Sequence, residues 1–315
     1  MIHAVDPTRE FHPVDPPVIS LIVPTRGRPT LAARFLASVA RCSTHLDRVE
    51  VILYVDEDDI GSHLISSDAV TVKRIIGPQR TMGEYNSVCY DAAKGDIIIL
   101  ANDDVVIGTP GWDERIVELD ASIPDKIYLA YCNDLFKKEK VCTFPILSRR
   151  TCQLLVEPYP AAYKGAFIDS HLLDIFRRLK HAGYDRIRYL DDVIFEHMHY
   201  RTGKGQMDET YRRRVRFGDD WTFLGLSESR REAAAFLANL LSGRRPAPYE
   251  PPRDFEARAP HGVVDAFRLI SRRLLLDRSA PLRWRSYLWL YFLARYMAAR
   301  GLLGPFVRES STGSS

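Results

Sequence analysis

The stretch GDIIILANDDVV, residues 95–106, decides the fold class and points to the chemistry. Residues 96–101 form a short apolar run rich in isoleucine, which predicts a buried strand. Asn102, Asp103 and Asp104 follow at once, so this strand would end in two adjacent carboxylates. Burying two like charges is costly unless a cation neutralises them, and Mg²⁺ or Mn²⁺ takes oxygen ligands. The alternative is a solvated turn that caps a helix.

Apolar, β-branched runs on either side of this stretch alternate with helical patterns. The runs predict strands at 18–24, 49–55 and 70–76, and the helical patterns cover 31–41, capped by Thr30, and 82–93. Further along, the sequence predicts strands at 126–131, 187–190 and 193–199 and a helix at 169–181. Strands that alternate with helices across short loops predict an α/β fold, with a mostly parallel, Rossmann-like sheet covered by helices on both faces.

Polar groups follow three of the predicted strands at the point where each strand ends. They are Thr25-Arg26, Asp56 to Asp59 and Asn102 to Asp104. In open parallel sheets, ligands bind beyond the carboxyl ends of the strands. We therefore expect a ligand site at this edge, against the alternative of ordinary loop polarity.

Two histidines in the run VIFEHMH offer nitrogen ligands for the same cation. His197 and His199 are two residues apart on a predicted strand, and alternation would send both side chains to one face. A histidine can complete a mixed oxygen and nitrogen shell. The alternatives are structural histidines, or a zinc site for which no third or fourth ligand lies nearby in the sequence.

Composition limits the class of protein and its compartment. The chain has 315 residues, is 46% hydrophobic and carries a formal charge of +3, which is too weak to predict a nucleic-acid partner. Its five cysteines form no CxxC pair and are odd in number, which suits a reducing compartment. The first residues are polar and proline-rich, and no apolar run is long enough to span a membrane, so we expect a cytoplasmic protein.

The C-terminal part of the chain is basic and aromatic. Between residues 261 and 308 there are nine arginines and only two acidic residues, Asp265 and Asp277. Arginine beside aromatic residues is typical of a helix at a membrane surface. However, the apolar residues of 288–293 lie on nearly all sides of the helix, and this pattern suits packing on the domain or in a homodimer equally well.

These patterns divide the chain into five parts. Residues 1–17 are predicted to be a flexible lead-in, and 18–217 a catalytic domain. A helix and a linker rich in proline and arginine occupy 218–260, the basic helical extension occupies 261–308, and 309–315 is predicted to be a disordered tail.

Taken in chain order, four motifs resemble those of the inverting glycosyltransferases of family 2 and their relatives. They are SLIVPTRGRP (20–29), LYVDEDD (53–59), GPQRTMGEYN (77–86) leading to GDIIILANDD, and LDDVIFEHMH (190–199). The resemblance covers residues 18–217. It implies a GT-A fold, a nucleotide-sugar donor with UDP-sugars favoured, a glycan or lipid-linked hydroxyl acceptor, Mn²⁺ or Mg²⁺, and a role in glycan or polysaccharide synthesis.

The resemblance also implies roles for the matching residues. The nucleotide's base and ribose would be held by Pro24, Thr25, Arg26, Asp56 and Asp58, and its diphosphate region by Arg80 and Asn86. Asn102, Asp103 and Asp104 stand where the family has its DxD motif, with Asp104 as the first choice of metal ligand, joined by His197 or His199. The catalytic base would be Asp169 at a helix start, with Asp174, Asp191 and Asp192 as rivals.

One departure from the family pattern keeps other functions open. Asn102 replaces the usual acidic first member of the motif, and its amide brings no charge. A non-catalytic module that binds nucleotides or sugars on a degenerate GT-A fold would therefore also suit these residues. A nucleotidyltransferase is a further alternative, because it shares a nucleotide-binding sheet and a metal-bound carboxylate pair, but it would favour a glycine-rich phosphate loop and TRGRP has one glycine.

Overall fold

The computed structural model describes residues 18–302 except for 206, 210, 211, 213, 214, 248, 253, 254 and 256. The predicted lead-in, 1–17, and the predicted tail, 309–315, lie outside the described residues. Eight strands occur in the described part: β1 (Ile19–Thr25), β2 (Val49–Asp56), β3 (Thr71–Gly77), β4 (Ile97–Leu100), β5 (Val105–Ile107), β6 (Leu129–Asn133), β7 (Ile146–Ser148) and β8 (Ile187–His197).

Helices connect these strands and then extend the chain beyond the sheet. They are α1 (Pro29–Cys42), α2 (Met82–Ala92), α3 (Trp112–Ala121), α4 (Arg149–Leu155), α5 (Ile168–His181), α6 (Asp220–Gly225), α7 (Ser227–Leu241), α8 (Val263–Ile270) and α9 (Leu282–Ala299). A further helical turn, Ser271–Leu275, continues α8. The helices predicted at 31–41, 82–93 and 169–181 are therefore present, with ends within two residues of the predicted ones.

The strands of the described residues form one sheet in the order β3-β2-β1-β4-β7-β6-β8-β5. Four of its seven pairings are parallel, and the three that involve β7 or β5 are antiparallel. Successive residues of the central strands enter two apolar cores, one on each face, such as Ile22 and Ile98 on one side and Leu21 and Ile99 on the other. Because both faces are covered, these strands are apolar at nearly every position. The predicted α/β class with a mostly parallel sheet is confirmed.

Two local predictions are wrong. Thr30 does not cap α1, because the helix already begins at Pro29, and a proline suits the first helical position, where no amide donor is needed. The strands predicted at 187–190 and 193–199 are one strand, β8, whose register against β6 shifts near Asp191 and Asp192. β8 ends at His197, so the rule of alternation does not place His199 on the same face.

The C-terminal helices pack onto the same apolar core as the sheet. Trp284, Leu288 and Phe292 of α9 are buried in the core that also holds Ile22 and Ile98. Within the described ranges, no helix has the length and apolar character needed to cross a membrane. Helix α9 thus has one face directed toward the domain.

A buried ion-pair network fixes α9 to α5. Asp174 of α5 is fully buried and accepts hydrogen bonds from Arg178 Nε at 2.9 Å, Arg230 Nε at 2.6 Å and Trp284 Nε1 at 2.7 Å. The two arginines lower the pKa of Asp174 well below its usual value against the effect of burial. A carboxylate held in this way is a structural group.

We expect Asp174→Ala to lower the free energy of unfolding by about 3–5 kcal/mol, because the buried Arg230 would lose its counter-charge and Arg178 would keep only Asp277. Urea denaturation checks this value. Asp185→Ala is the control: its ion pair with Lys180 is half exposed, and such pairs contribute less than about 1 kcal/mol. Equal losses in the two variants would contradict the structural role of Asp174.

Candidate active site

The carboxyl ends of β1, β2 and β4 meet at one edge of the sheet. β1 pairs in parallel with β2 and with β4, so the residues that follow these strands lie side by side. The structure therefore brings together Thr25, Arg26, Asp56, Asp103 and Asp104. Pro24 is the penultimate residue of β1, and Asn102 follows the end of β4. This edge holds the candidate site.

Asp103 is buried at the end of β4 and held by two donors. Thr25 Oγ1 donates to its Oδ2 at 2.8 Å, and Arg28 Nη1 donates to its Oδ1 at 3.1 Å. Burial raises the pKa of Asp103 to about 6, Arg28 opposes this rise, and the adjacent Asp104 adds to it. Its ionised form is thus disfavoured in the folded protein, and a second positive charge would stabilise it.

The raised pKa of Asp103 predicts a pH dependence of stability. The folded protein binds this proton more tightly than the unfolded chain does, so its contribution to stability falls as pH rises from the ordinary value of 3.8 to about 6. Without a cation, Asp103→Asn should therefore raise the free energy of unfolding at pH 7.5 by about 1–3 kcal/mol. It should also flatten the change between pH 4 and 6. Urea denaturation in EDTA checks this, and an unchanged slope would contradict it.

Asp104 and His197 face each other across the β5–β8 pair. Val105 pairs with His197 in the antiparallel ladder, and the backbone amide of Met198 donates to the carbonyl of Asp104 at 2.9 Å. The Nε2 atom of His197 lies 3.4 Å from Oδ2 of Asp104. Two potential ligands, one oxygen in the turn before β5 and one nitrogen at the end of β8, thus lie at a separation that one cation can span.

The loop after β6 contacts both the backbone and the ring of His197. The backbone amide of His197 donates to the carbonyl of Asp134 at 3.1 Å, and the Phe144 ring packs edge-on against the imidazole at 5.3 Å. The Asp134 carboxylate is itself held by loop amides, including that of Lys137 at 2.7 Å. Nδ1 of His197 is buried without a hydrogen-bond partner among the described residues, so its ring is oriented by packing.

His199 lies beyond the end of β8 and forms part of an aromatic wall. Its ring stacks on Phe136 and on Tyr200, with centroids 5.8 and 4.5 Å apart. Its Nδ1 accepts a hydrogen bond from the amide of Arg201 at 3.1 Å, while its ring centroid is 5.1 Å from that of His197. His197 is therefore the histidine that faces Asp104.

A second polar group lies at the end of β2. Asp56 is buried and accepts hydrogen bonds from Arg26 and from Tyr85 Oη, the latter at 2.5 Å. Arg26 also binds both oxygens of the exposed Asp58, at 2.8 and 2.7 Å. The rings of Tyr54 and Tyr85 are 4.8 Å apart. Tyr54 is buried, so the groups that this arrangement leaves accessible to a ligand are the partly buried Tyr85 ring and the Arg26 guanidinium, which Asp56 and Asp58 hold in place.

Two more predicted residues lie along the start of α2. Arg80 is exposed, and its Nε donates to Tyr54 Oη at 3.1 Å. Asn86 is buried within α2, and its Oδ1 has no hydrogen-bond partner among the described residues. Arg80 therefore adjoins the Tyr54 and Tyr85 rings, whereas Asn86 faces the interior.

Arg28 is a central residue of the site that the sequence reasoning missed. Besides Asp103, it binds both oxygens of Asp208, at 2.6 and 2.9 Å. It thus joins the segment after β8 to the end of β4. The signal was present in TRGRP, where a second arginine follows the end of the strand, but only the tertiary structure shows which acids it meets.

The four acidic residues considered for a catalytic base lie in different places. Asp169 is half-buried in the first turn of α5, and its Oδ1 accepts from the Ser170 amide at 2.6 Å. Burial, followed by the nearby charge of Asp169, raises the pKa of the Cys142 thiol, so Asp169 lies close to the loop that contacts His197. Asp191 and Asp192 are exposed in the middle of β8, with Asp192 bound to Arg115, and Asp174 is fully buried.

Mn²⁺ or Mg²⁺ fits this site with two protein ligands. Throughout the described ranges, no group of three or more histidine, cysteine or acidic residues could hold a metal ion. Asp104 and His197 form a pair at suitable separation, whereas both Asp103 oxygens already accept hydrogen bonds. Mg²⁺ is commonly bound by one or two carboxylates, with water and substrate phosphates as the other ligands.

Comparison with known proteins gives structural likeness alone. No family model and no curated protein matches the chain. The structure is similar to that of mannosyltransferase PcManGT from Pyrobaculum calidifontis in complex with GDP-Man and Mn²⁺, with 15% identity, coverage of 96% of this chain and 90% of that one, and a TM-score of 0.48. It is also similar to S. aureus TarS 1–349 in complex with UDP, with 14% identity, coverage of 93% and 76%, and a TM-score of 0.49.

These similarities are too low to assign a function. The order β3-β2-β1-β4-β7-β6-β8, with β7 antiparallel to both of its neighbours, is GT-A-like, as the motifs implied. Any assignment of chemistry therefore depends on the residues at the carboxyl edge.

Proposed function

We propose that the protein is a metal-assisted, inverting glycosyltransferase that moves a sugar from a nucleotide-sugar donor to a hydroxyl acceptor. The observation that carries the proposal is the placement of Asp104 against His197, beside the buried Asp103, at the carboxyl edge of the sheet. Two buried carboxylates side by side call for a cation or a cationic ligand complex. The polar group around Asp56 follows β2, which is separated from β4 by β1 alone, and one elongated ligand along this edge would meet both groups.

The nucleoside part of the donor would occupy the side of the site at the end of β2. Arg26, held by Asp56 and Asp58, would bind the base and ribose, and the partly buried Tyr85 ring would offer apolar surface. Arg28 binds Asp103, which directly precedes Asp104. Its planar guanidinium suits a diphosphate, which could replace Asp208 as its partner.

Asp104 and His197 would hold Mn²⁺ or Mg²⁺. When bound, such a cation offsets the charge that develops on the departing nucleoside diphosphate. The contribution of the chain is to hold Asp104, in the turn before β5, against His197 at the end of β8, with His197 oriented by Phe144.

Asp169 would serve as the general base. It would take the proton of the acceptor hydroxyl as that oxygen bonds to the anomeric carbon, while the bond from this carbon to the diphosphate oxygen breaks and the nucleoside diphosphate leaves with the electron pair. A single displacement of this kind inverts the anomeric centre. The acceptor is a glycan or a lipid-linked hydroxyl, which places the reaction in glycan or polysaccharide synthesis.

A thermal-shift screen with UDP-, GDP-, CMP- and dTDP-sugars, each with and without Mn²⁺, tests the proposal. A ligand present at 100 times its Kd stabilises the native state by about 2.7 kcal/mol. We expect one nucleotide class, with UDP-sugars as the first to test, to raise Tm more with Mn²⁺ than without, and to be hydrolysed slowly.

A turnover assay with the same nucleotide-sugars and with nucleoside triphosphates separates the two other classes of function. Binding without any turnover would indicate the non-catalytic module that Asn102 leaves open. Release of pyrophosphate from a nucleoside triphosphate would indicate a nucleotidyltransferase. The absence of any Mn²⁺-dependent shift would overturn the metal-assisted mechanism.

A further inference from the structure

Helix α9 has an exposed apolar face, although its opposite face is packed on the domain. Leu290, Met297 and Tyr287 are 60%, 37% and 50% exposed. Leu290 is three residues after Tyr287, and Met297 is seven residues after Leu290, so the three side chains lie on one side of the helix. Trp284, Leu288, Phe292 and Tyr296, spaced by four, form the buried side. The apolar residues around this helix therefore have two different environments: one side packs on the domain and the other is exposed.

Helix α8 enlarges this face. Val263, Val264 and Phe267 are 57%, 63% and 50% exposed. The Phe267 ring lies 6.1 Å from that of Trp289 on α9, so the exposed sides of the two helices adjoin. We call the exposed residues of 263–302 the C-terminal face.

The charges on the C-terminal face are mostly positive. Its exposed arginines are Arg268, Arg272, Arg278, Arg283 and Arg300, and the only exposed acid among the described residues of this segment is Asp265. Asp277 is engaged by Arg178. Exposed apolar side chains bordered by arginines suit the boundary between the headgroups and acyl chains of an anionic membrane.

We propose that the C-terminal face binds the surface of a membrane that contains anionic lipid, with α9 lying in the plane of the interface. A second copy of the chain is less favoured as the partner of this face, because a dimer formed through it would bring the five arginines of each copy close to those of the other. The proposal does not depend on the proposed function, since no residue of the candidate active site belongs to this face.

Vesicle co-sedimentation of the full chain tests the proposal. We expect binding to phosphatidylcholine vesicles that contain phosphatidylserine, weaker binding at higher salt, and little binding to phosphatidylcholine alone. Arg283→Gln with Arg300→Gln should lower the partition coefficient about 25-fold, since each arginine near an anionic surface contributes about 1 kcal/mol and 1.4 kcal/mol is tenfold. Leu290→Ser with Met297→Ser should lower it at least about tenfold.

Matched controls lie far from this face. Leu64→Ser removes a leucine that is 86% exposed in the loop after β2, and Arg48→Gln removes a partly exposed arginine before β2; both variants should bind like the original chain. Substitutions are preferred to truncation, because removal of α9 would expose the core. Unchanged binding in both double variants, or no binding to anionic vesicles, would overturn the proposal. A dimer that Leu290→Ser disrupts in the absence of lipid would overturn it in favour of self-association.

Discussion

Asp104→Asn is expected to lower sugar transfer by about 10³-fold or more at saturating donor, with little change in the free energy of unfolding. The amide keeps the shape of the side chain but brings no negative charge. A bound cation contributes several kcal/mol of charge stabilisation in the transition state, and each 1.36 kcal/mol is tenfold in rate. The variant should also lose the Mn²⁺-dependent part of the thermal shift caused by the donor.

The matched control for Asp104→Asn is Asp47→Asn. Asp47 precedes β2 at the opposite edge of the sheet, and its side chain is 78% exposed, so transfer and Mn²⁺ dependence should both be retained. His197→Gln should resemble Asp104→Asn in its Mn²⁺ response, because the two side chains would share one cation. Equal turnover in Asp104→Asn and the original chain would rule out the metal role.

Asp169→Asn is expected to lower kcat by about 10²–10⁴-fold, the usual loss when a general base is removed. Donor affinity and the Mn²⁺-dependent thermal shift should be unchanged, because Asp169 would act on the acceptor. Single-turnover transfer to an acceptor, compared with donor binding in the same variant, separates the two effects.

Asp191→Asn and Asp192→Asn are the comparison for Asp169→Asn. Both residues are exposed in the middle of β8, and Asp192 is bound to Arg115 on α3. At about 3.3 Å per residue, they lie well away from His197 at the end of that strand. Each should retain near-normal transfer. If either variant loses it while Asp169→Asn does not, the base has been assigned to the wrong carboxylate.

The central strands and main helices could be predicted from the sequence because burial on both faces leaves long apolar runs. β5 and β7 could not, since three residues each are too few for a periodic signal. The sequence predicts two strands in place of β8 because Asp191 and Asp192 interrupt its apolar pattern. They occupy a shift of register against β6, where the rule of alternation does not apply.

The sequence could predict the candidate site only where it also predicted which strands are neighbours in the sheet. Residues at the ends of β1, β2 and β4 were expected to meet because parallel neighbours share an edge. The facing of His197 and Asp104 depends on the antiparallel β5–β8 pair, which the sequence did not reveal. The contacts of Arg28 with Asp103 and Asp208 join positions 75 and 180 residues apart, and no local pattern reports such pairs.

The contact of Asp174 with Trp284 has a consequence for how the chain folds as it is made. The two residues are 110 positions apart, and ribosomes add about 5–20 residues per second. Helix α5 is therefore complete for several seconds before its partner helix exists. During that interval the Asp174 side of the nascent domain stays open to water, and its apolar neighbours are exposed to chaperones and to other nascent chains. Of the described elements α9 is made last, so this side of the core closes only after α9 has left the ribosome and docked on α5.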